Sequence, residues 1–255
     1  MTAADGGSAV TRALAIIELI AASDKPLSIA DLTEQLDLPK ATVHRLVMSL
    51  WHQGILQREP DSKRFAAGRG LTDLAINALR NSAQRAVRHA ILQGLVDRIK
   101  ETCNFNMMDQ NEIIYIDRVE ADWPLRVHFQ PGSRVPLHCT ATGKLFLSQL
   151  PAARRHRLIS TLNLKAHTPN TFTDPERLEA ELLRIRAQKV GTDNEEFLAG
   201  LVAVSVPIHD RRNRICAALA VHGPIGRLSF EQALSHVPKL RAAAIQLSQT
   251  LFGTE

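Results

Sequence analysis

The segment Leu38–Leu56, LPKATVHRLVMSLWHQGIL, restricts the possible folds more than any other stretch of this chain, because its two faces differ in chemistry at helical spacing. Val43, Leu46, Val47 and Leu50 recur at the three- and four-residue interval that buries one side of an α-helix. The opposite side carries Ala41, His44, Arg45 and His52. Lys40 and Thr42 lie near the helix start, behind Pro39 at a position where a missing N–H costs little. Short and basic residues at the front of a helix, with an apolar stripe behind, are what entry into a DNA major groove requires. A single amphipathic helix with an outward arginine is ordinarily just a solvated helix, so the neighbouring segments decide between the two readings.

Upstream, Val10, Ala13, Leu14, Ile17 and Ile20 form one helical stripe that ends at Ser23-Asp24-Lys25-Pro26. A second short helix starts at Ser28, with Asp31 as its capping-box partner, and buries Ile29, Leu32 and Leu36. Asp37 to Pro39 turns the chain into the segment described first. Helix, helix, tight turn and helix within about fifty residues is the layout of a helix-turn-helix unit. Gly54 stops the third helix, Ile55 and Leu56 suit a strand, and Gln57 to Arg64 is a charged hairpin returning at Phe65, which reads as a wing.

Charge is informative by position. Residues 1–80 hold nine Lys or Arg and nine Asp or Glu, so this half is not a basic domain. Between Pro39 and Arg69, however, Lys40, Arg45, Arg58, Lys63, Arg64 and Arg69 face only Glu59 and Asp61, while Asp24, Asp31, Glu34 and Asp37 fall on the preceding helix and its flanks. Such polarity suits phosphate contacts from one face: Lys40, Ala41, Thr42, His44 and Arg45 at the major groove, with Arg58, Lys63 and Arg64 of the wing on the backbone or in the minor groove. The competing reading is a ligand-binding or oligomerising protein whose winged helix meets protein instead of DNA.

At 255 residues the chain has room for two domains, and its net charge of +5 permits a nucleic-acid partner without requiring one. Cys103, Cys139 and Cys216 are odd in number, widely spaced and without CxxC, as expected in a reducing cytoplasm and without structural zinc. MTAADGGSA lacks a basic region followed by an apolar run, so no export signal is expected. No stretch reaches the ~18–20 apolar residues needed to span a bilayer, so neither is a membrane partner.

Leu71 to Arg80 is a helix with Leu71, Leu74, Ala75 and Ala78 on one side; Asn81-Ser82 breaks or bends it before a longer helix from about Ala83 to Glu101. The apolar side of the first must be buried against a second copy of the chain or against its own domains. After Cys103 the period changes. NFNMMDQ, EIIYIDRVE and LRVHFQ read as strands, with Gln110-Asn111 as a hairpin turn. Pro131 to Leu137 reads as a loop, Thr140 to Gln149 as a helix, and Asp174 to Gln188 as another, capped by Thr173. LVAVSVPI and RICAALAVHG, joined by the polar His209 to Arg214, are central antiparallel strands, and terminal helices follow. Strands flanked by helices imply an α+β domain of roughly 170 residues.

Catalytic readings fail on spacing. Gly143-Lys144 resembles the end of a phosphate loop, but the required earlier glycine is His138 and Leu145 replaces the magnesium-binding hydroxyl. His138 and Cys139 are adjacent, and in an extended segment they would point to opposite faces, so a base–nucleophile pair is not expected. His138 with Glu195 or Glu196 lacks paired metal-ligand spacing. Neither a metal nor another cofactor is expected.

The pieces TRALAIIELI, LPKATVHRLVMSLWHQGIL, PLHCTATGK and DNEEFLAGLVAVSVPI followed by AALAVHGP occur in this order over nearly the full length, and with them the chain resembles an IclR-type bacterial transcriptional regulator. The resemblance implies a winged helix-turn-helix domain over residues 8–69, a linker helix over 70–83 and a GAF-like α+β effector-binding domain with a central antiparallel sheet over 84–255. It implies a double-stranded operator and a small-molecule effector as partners, a homodimer that can pair into a dimer of dimers, and control of a catabolic operon without enzymatic activity. Carried over by motif, the effector pocket comprises Ala141 and Thr142 at a helix N-terminus, where unpaired N–H groups favour a carboxylate. Asp193 heads the DNEE motif, and Ala203, Ala220 and His222 lie on the facing strands. Members that bind small oxo-acids place a cysteine and two serines at the last three positions. Their replacement here implies a larger, less polar acid, aromatic or branched, with His222 as its polar anchor.

Overall fold

A computed structural model of the protein describes residues 8–252 except 24, 60, 61, 82, 83 and 125–128; the side chains of 79–81, 84 and 252 are likewise left aside. Expectations resting on Asp24, Asp61, Ser82 and the first four residues of the LRVHFQ strand lie outside the described residues. The chain divides into two compact units, Met1–Ala78 and Leu79–Glu255. Among the described residues no helix is long and apolar enough to cross a membrane.

In the first unit, α1 (Ala9–Ala22), α2 (Ile29–Leu36) and α3 (Lys40–His52) stand against a small sheet of β1 (Leu27–Ser28), β2 (Leu56–Arg58) and β3 (Arg64–Ala67), ordered β1-β3-β2. The α3 stripe is buried as expected, with Val43 and Val47 fully enclosed beside Leu46 and Leu50. On α1 the inward row differs from the expectation: Ile16 and Ile20 are buried, while Val10 and Leu14 remain 68% and 53% exposed. Residues 13, 16, 17 and 20 share one helical face, and the adjoining row is left outside. Ser28 caps α2 by accepting from the Asp31 N–H at 3.1 Å, and Asp31 reciprocates by accepting from the Ser28 N–H at 2.8 Å. Asp37 (φ 51°) and Gly54 (φ 71°) take left-handed conformations at the turns on either side of α3. The chain passes from β3 into α4 (Arg69–Asn81), inside which the two units divide.

The second unit begins with α5 (Gln84–Ile99) and a hairpin of β4 (Thr102–Asp109) and β5 (Glu112–Val119), turning at Gln110 (φ 55°) and Asn111. The segment read as a loop holds a short edge strand, β6 (Arg134–Pro136), and Phe129 and Gln130, read as the end of a strand, belong to none. Then come α6 (Ala141–Gln149), α7 (Ala152–Thr161), α8 (Pro175–Gln188), β7 (Gly191–Asn194), β8 (Leu201–His209), β9 (Ile215–Pro224), α9 (Phe230–Ser235) and α10 (Val237–Phe252). The α8 cap is Asp174 and not Thr173, because Pro175 supplies the first helical φ and the Asp174 carboxylate accepts from the Arg177 N–H at 2.8 Å.

Six antiparallel strands run in the order β6-β5-β4-β9-β8-β7. On one face lie α5 and α10; α6 crosses the other, with α8 behind it. The core beneath α6 includes Ile113, Val135, Leu137, Leu145, Leu147, Leu182 and Ile185. Two glycines set how closely α6 can sit. A Cβ on Gly143 would come 2.3 Å from the Leu137 carbonyl oxygen, and one on Gly191 would come 2.0 Å from that of Ala141. Gly143 is therefore a packing residue of the TATGK motif, which explains the glycine without a phosphate.

Candidate functional site

On α3, Lys40, Ala41, His44 and Arg45 are exposed and Thr42 is half-buried, forming an outward row opposite the apolar one. The buried face fixes the helix by packing, so the outward side chains are carried on a rigid element. On the wing, Lys63 is exposed and the Arg58 Nε donates to the Ser62 carbonyl at 3.4 Å, still at the surface. Arg64 keeps 45% of its side chain exposed and is also tied within the unit. It sits on β3 and donates to the Asp31 carboxylate at 3.0 Å and the Pro26 carbonyl at 3.1 Å, tying the sheet to the α2 cap. The Ser28 N–H and hydroxyl, followed by Arg64, hold the Asp31 carboxyl below its ordinary value.

In the second unit Ala141, Thr142, Asp193, Ala203, Ala220 and His222 line one narrow cavity of about 30 Å³ between α6 and the sheet. Sheet register brings them together: Asp193 pairs with Ala203, Ala203 with His222, and Ala220 with Asn104. Thr140 caps α6 by accepting from the Gly143 N–H at 3.1 Å. The N–H groups of Ala141 and Thr142 have no protein acceptor among the described residues.

Sequence reasoning missed Asn104, Asn106 and Arg118, which restore the polarity that Ala203 and Ala220 lack. Asn106 is buried and donates from Nδ2 to the Thr142 Oγ1 at 3.1 Å, and Thr142 donates onward to Ser205 at 3.2 Å. The other amide atom, Asn106 Oδ1, is buried without a hydrogen-bond partner. A buried polar atom left unmatched in a cavity costs stability until something fills it. Arg118 reaches this face through a β-bulge: Tyr115 pairs with Asn106 and Asp117 with Phe105, so Ile116 is extra and Arg118 falls on the same side as Tyr115. Its Nη1 donates to Asn104 Oδ1 at 3.0 Å and lies 3.4 Å from His222 Nε2, while its Nε donates to Glu120 at 3.1 Å. Burial, followed by the charge of Arg118, drives His222 down to about 3, which keeps the imidazole neutral. Tyr115, Phe129 and Phe197 stack along one wall, with centroids 5.4 and 6.2 Å apart. An alternation of polar residues on β4 was the available signal for the two asparagines; the bulge left none for Arg118.

The DNEE motif closes the cavity. Asp193 accepts from the N–H of Glu196 at 2.8 Å and of Phe197 at 3.4 Å, and burial, followed by the charge of Glu196, pushes its carboxyl up to about 7. Lys144, fully buried, donates to both carboxylate oxygens of Glu196 at 2.5 Å and lies over the Phe172 ring at 4.8 Å. The lysine of the apparent phosphate loop thus anchors this loop.

His138 and Cys139 lie in a turn and not an extended segment, which overturns the argument that their side chains must diverge. With His167 they bring donor atoms within 4.8 Å of one another, a group that could hold a metal ion. His138 Nε2 donates to the Lys165 carbonyl at 3.0 Å, leaving Nδ1 as its lone-pair atom. Burial raises the Cys139 thiol well above its ordinary value. The thiol is thus kept protonated, the opposite of what a nucleophile needs.

Two family profiles decide the assignment: the IclR helix-turn-helix domain matches residues 9–60, and the bacterial transcriptional regulator IclR C-terminal domain matches residues 76–249. The chain belongs to the IclR family. It is 45% identical over 243 residues to the probable transcriptional regulator SauR of Cupriavidus necator, covering 95% of this chain and 96% of that one. The crystal structure of Thermotoga maritima IclR superposes with a TM-score of 0.64 at 28% identity, over 96% and 98% of the two chains. The inducer-binding domain of a PobR double mutant from Acinetobacter, solved as a complex with 3-hydroxybenzoic acid, superposes with a TM-score of 0.61 at 27% identity, over 64% of this chain and 96% of that one. The protein is accordingly a DNA-binding transcriptional regulator with an effector-binding domain, not an enzyme, and its fold is the winged helix-turn-helix followed by the antiparallel α+β domain of that family.

Proposed function

We propose that this IclR-family protein controls a catabolic operon in the cytoplasm by binding a double-stranded operator and releasing or remodelling it when a small organic acid enters the cavity between α6 and the sheet. The observation that carries the DNA half is the outward row of Lys40, Ala41, His44 and Arg45 on a helix whose other face is buried. His44 and Arg45 read base edges with Thr42, while Arg58 and Lys63 hold phosphates. Arg64 supports the wing from behind, given its bonds to Asp31 and Pro26. Two recognition helices are needed for a palindromic site, and the exposed Val10 and Leu14 of α1 give a homodimer an apolar contact; two such dimers form the full assembly.

For the effector, the unpaired first-turn N–H groups of α6 and the open Asn106 Oδ1 together favour a protonatable or hydroxyl-bearing acid, with its carboxylate on Ala141 and Thr142. Asp193, Ala203, Ala220 and His222 complete the lining. The aromatic wall and the 3-hydroxybenzoic acid complex of the PobR domain support an aromatic or branched body. The effector acts by its difference in affinity for the DNA-competent and incompetent states.

The test is a gel shift on the intergenic region upstream of the protein's own gene. Arg45→Ala should abolish the shift and leave stabilisation by an effector acid unchanged; an unaltered shift would reject the interface. A shift insensitive to salt would favour protein–protein docking by the winged helix instead.

A further inference from the structure

The turn ahead of α6 gathers three metal-binding side chains outside the lining of the cavity. His138 and Cys139 are buried in the turn between β6 and α6, and His167 lies on the surface in the segment between α7 and α8. Their donor atoms, one from each residue, all fall within 4.8 Å of one another. Two imidazoles and a thiol make a nitrogen and sulfur set, which suits zinc and its late transition-metal neighbours and disfavours calcium and magnesium, whose ligands are oxygens. Spacing along the chain does not reveal the group, since His167 comes from a different segment.

We propose that His138, Cys139 and His167 form a site for one Zn2+ ion, with the fourth tetrahedral position held by water. The backbone that carries the three ligands is braced. Thr140 Oγ1 donates to the Pro136 carbonyl at 2.7 Å and accepts from the Gly143 N–H at 3.1 Å, which holds the turn of His138 and Cys139. The His167 N–H donates to Thr171 Oγ1 at 3.0 Å, and Thr171 donates onward to the Glu196 carbonyl at 2.6 Å, so His167 is moored to the DNEE loop that Lys144 anchors. Ligands on fixed backbone lose little freedom when a metal binds. His138 also has the outer partner that a zinc-bound histidine uses: its Nε2–H donates to the Lys165 carbonyl at 3.0 Å, which fixes the tautomer and leaves the Nδ1 lone pair for the ion. Zn–N bonds of about 2.0–2.1 Å and a Zn–S bond of about 2.3 Å put tetrahedral ligand atoms roughly 3.5 Å apart, so the widest present spacing of 4.8 Å must close by about 1 Å. His167, being exposed, can rotate to close it. On binding, the Cys139 thiol gives its proton to solvent and coordinates as thiolate, while both imidazoles coordinate in the neutral form. Ring packing is the rival account, because the His167 centroid lies 5.9 Å from that of His138 and 5.3 Å from that of Phe197. Packing gathers the two histidines but gives no reason for a thiol beside them.

The test is titration of the reduced, metal-free full-length protein with Co2+, followed by its absorption spectrum. One equivalent should raise a thiolate-to-cobalt charge-transfer band in the near ultraviolet together with the visible bands of a tetrahedral ion. Zn2+ should bleach both, and excess Mg2+ or Ca2+ should not. Cys139→Ala should abolish the charge-transfer band, because Cys103 and Cys216 lie elsewhere, on β4 and β9. His167→Ala, at an exposed position, should keep the metal-free thermal midpoint of the wild type and lower Zn2+ affinity about ten-fold or more, since losing a ligand costs at least as much as the ~10–100-fold of an outer-shell loss. The His167 variant keeps the test decisive if the Cys139 variant does not fold. A wild type without the charge-transfer band, a band that survives Cys139→Ala, or a smaller loss in His167→Ala overturns the site and leaves ring packing as the reason for the cluster.

Discussion

On the first unit the residues directed away from the α3 core, Lys40, His44 and Arg45, stand in solvent, whereas in the second unit Arg88, Arg118, Lys144 and Arg155 are withdrawn from it and paired with Asp117, Glu120, Glu196 and Glu179. Exposed charges left without strong partners are available to a polyanion, and their removal leaves the fold untouched. Buried charges are structural first. They are tolerated only where geometry satisfies them, and removing one partner strands the other in a dry interior. Charge substitutions should therefore act on DNA affinity in one unit and on stability in the other.

The sharpest way to break that contrast is Lys144→Ala, which should cost the second unit about 3–5 kcal/mol by leaving Glu196 unpaired, measured by urea unfolding. The double variant Lys144→Met/Glu196→Gln should regain much of the loss; no loss in the single variant would mean the pair is idle. Gly191→Ala, which places a methyl 2.0 Å from the Ala141 carbonyl oxygen, should cost about 1–3 kcal/mol as an overpacked contact and blunt acid binding by displacing the α6 N-terminus. Titration gives a third test. The Asp193 carboxyl is about 7 when folded against 3.8 as its ordinary value. Between those values the folded chain holds a proton that the unfolded chain has released, so this group's contribution falls as pH rises from about 4 to 7. Asp193→Asn should flatten that part of the thermal midpoint profile. The smallest effect is expected at the surface: Lys63→Ala should leave the thermal midpoint unchanged and lower the salt slope of operator binding by about 1.

The same contrast explains what could be read from sequence. Val43, Leu46, Val47 and Leu50, the Ser28–Asp31 capping box and the Gly54 stop depend on residues within a few positions of one another, and spacing alone reveals them. The α1 stripe leaves Val10 and Leu14 exposed, because periodicity identifies an apolar row without saying how much of it is covered. In the second unit the family motifs led to Ala141, Thr142, Asp193, Ala203, Ala220 and His222, which do line one cavity. Asn104, Asn106 and Arg118 escaped because their contacts span sequence separations of 118, 36 and 104 residues. The turn that gathers His138, Cys139 and His167 escaped too, since adjacency in an extended chain and adjacency in a turn are indistinguishable without the fold.

Ile116 shows how little chain separates one binding chemistry from another. It carries no charge and matters only by being one residue too many for its partner strand. Because of it Asp117 meets Arg88 and His89 on the α5 side of the sheet, while Arg118, its immediate neighbour, meets Asn104 and His222 on the other. Deleting that residue would remove the bulge and leave Asp117 opposite Phe105 and Arg118 opposite Asn104, each on its present face, whereas an unbulged strand that kept Ile116 would exchange the two. A strand thus has something like a reading frame, and one unpaired residue decides which of two neighbouring charges of opposite sign faces each side of the sheet.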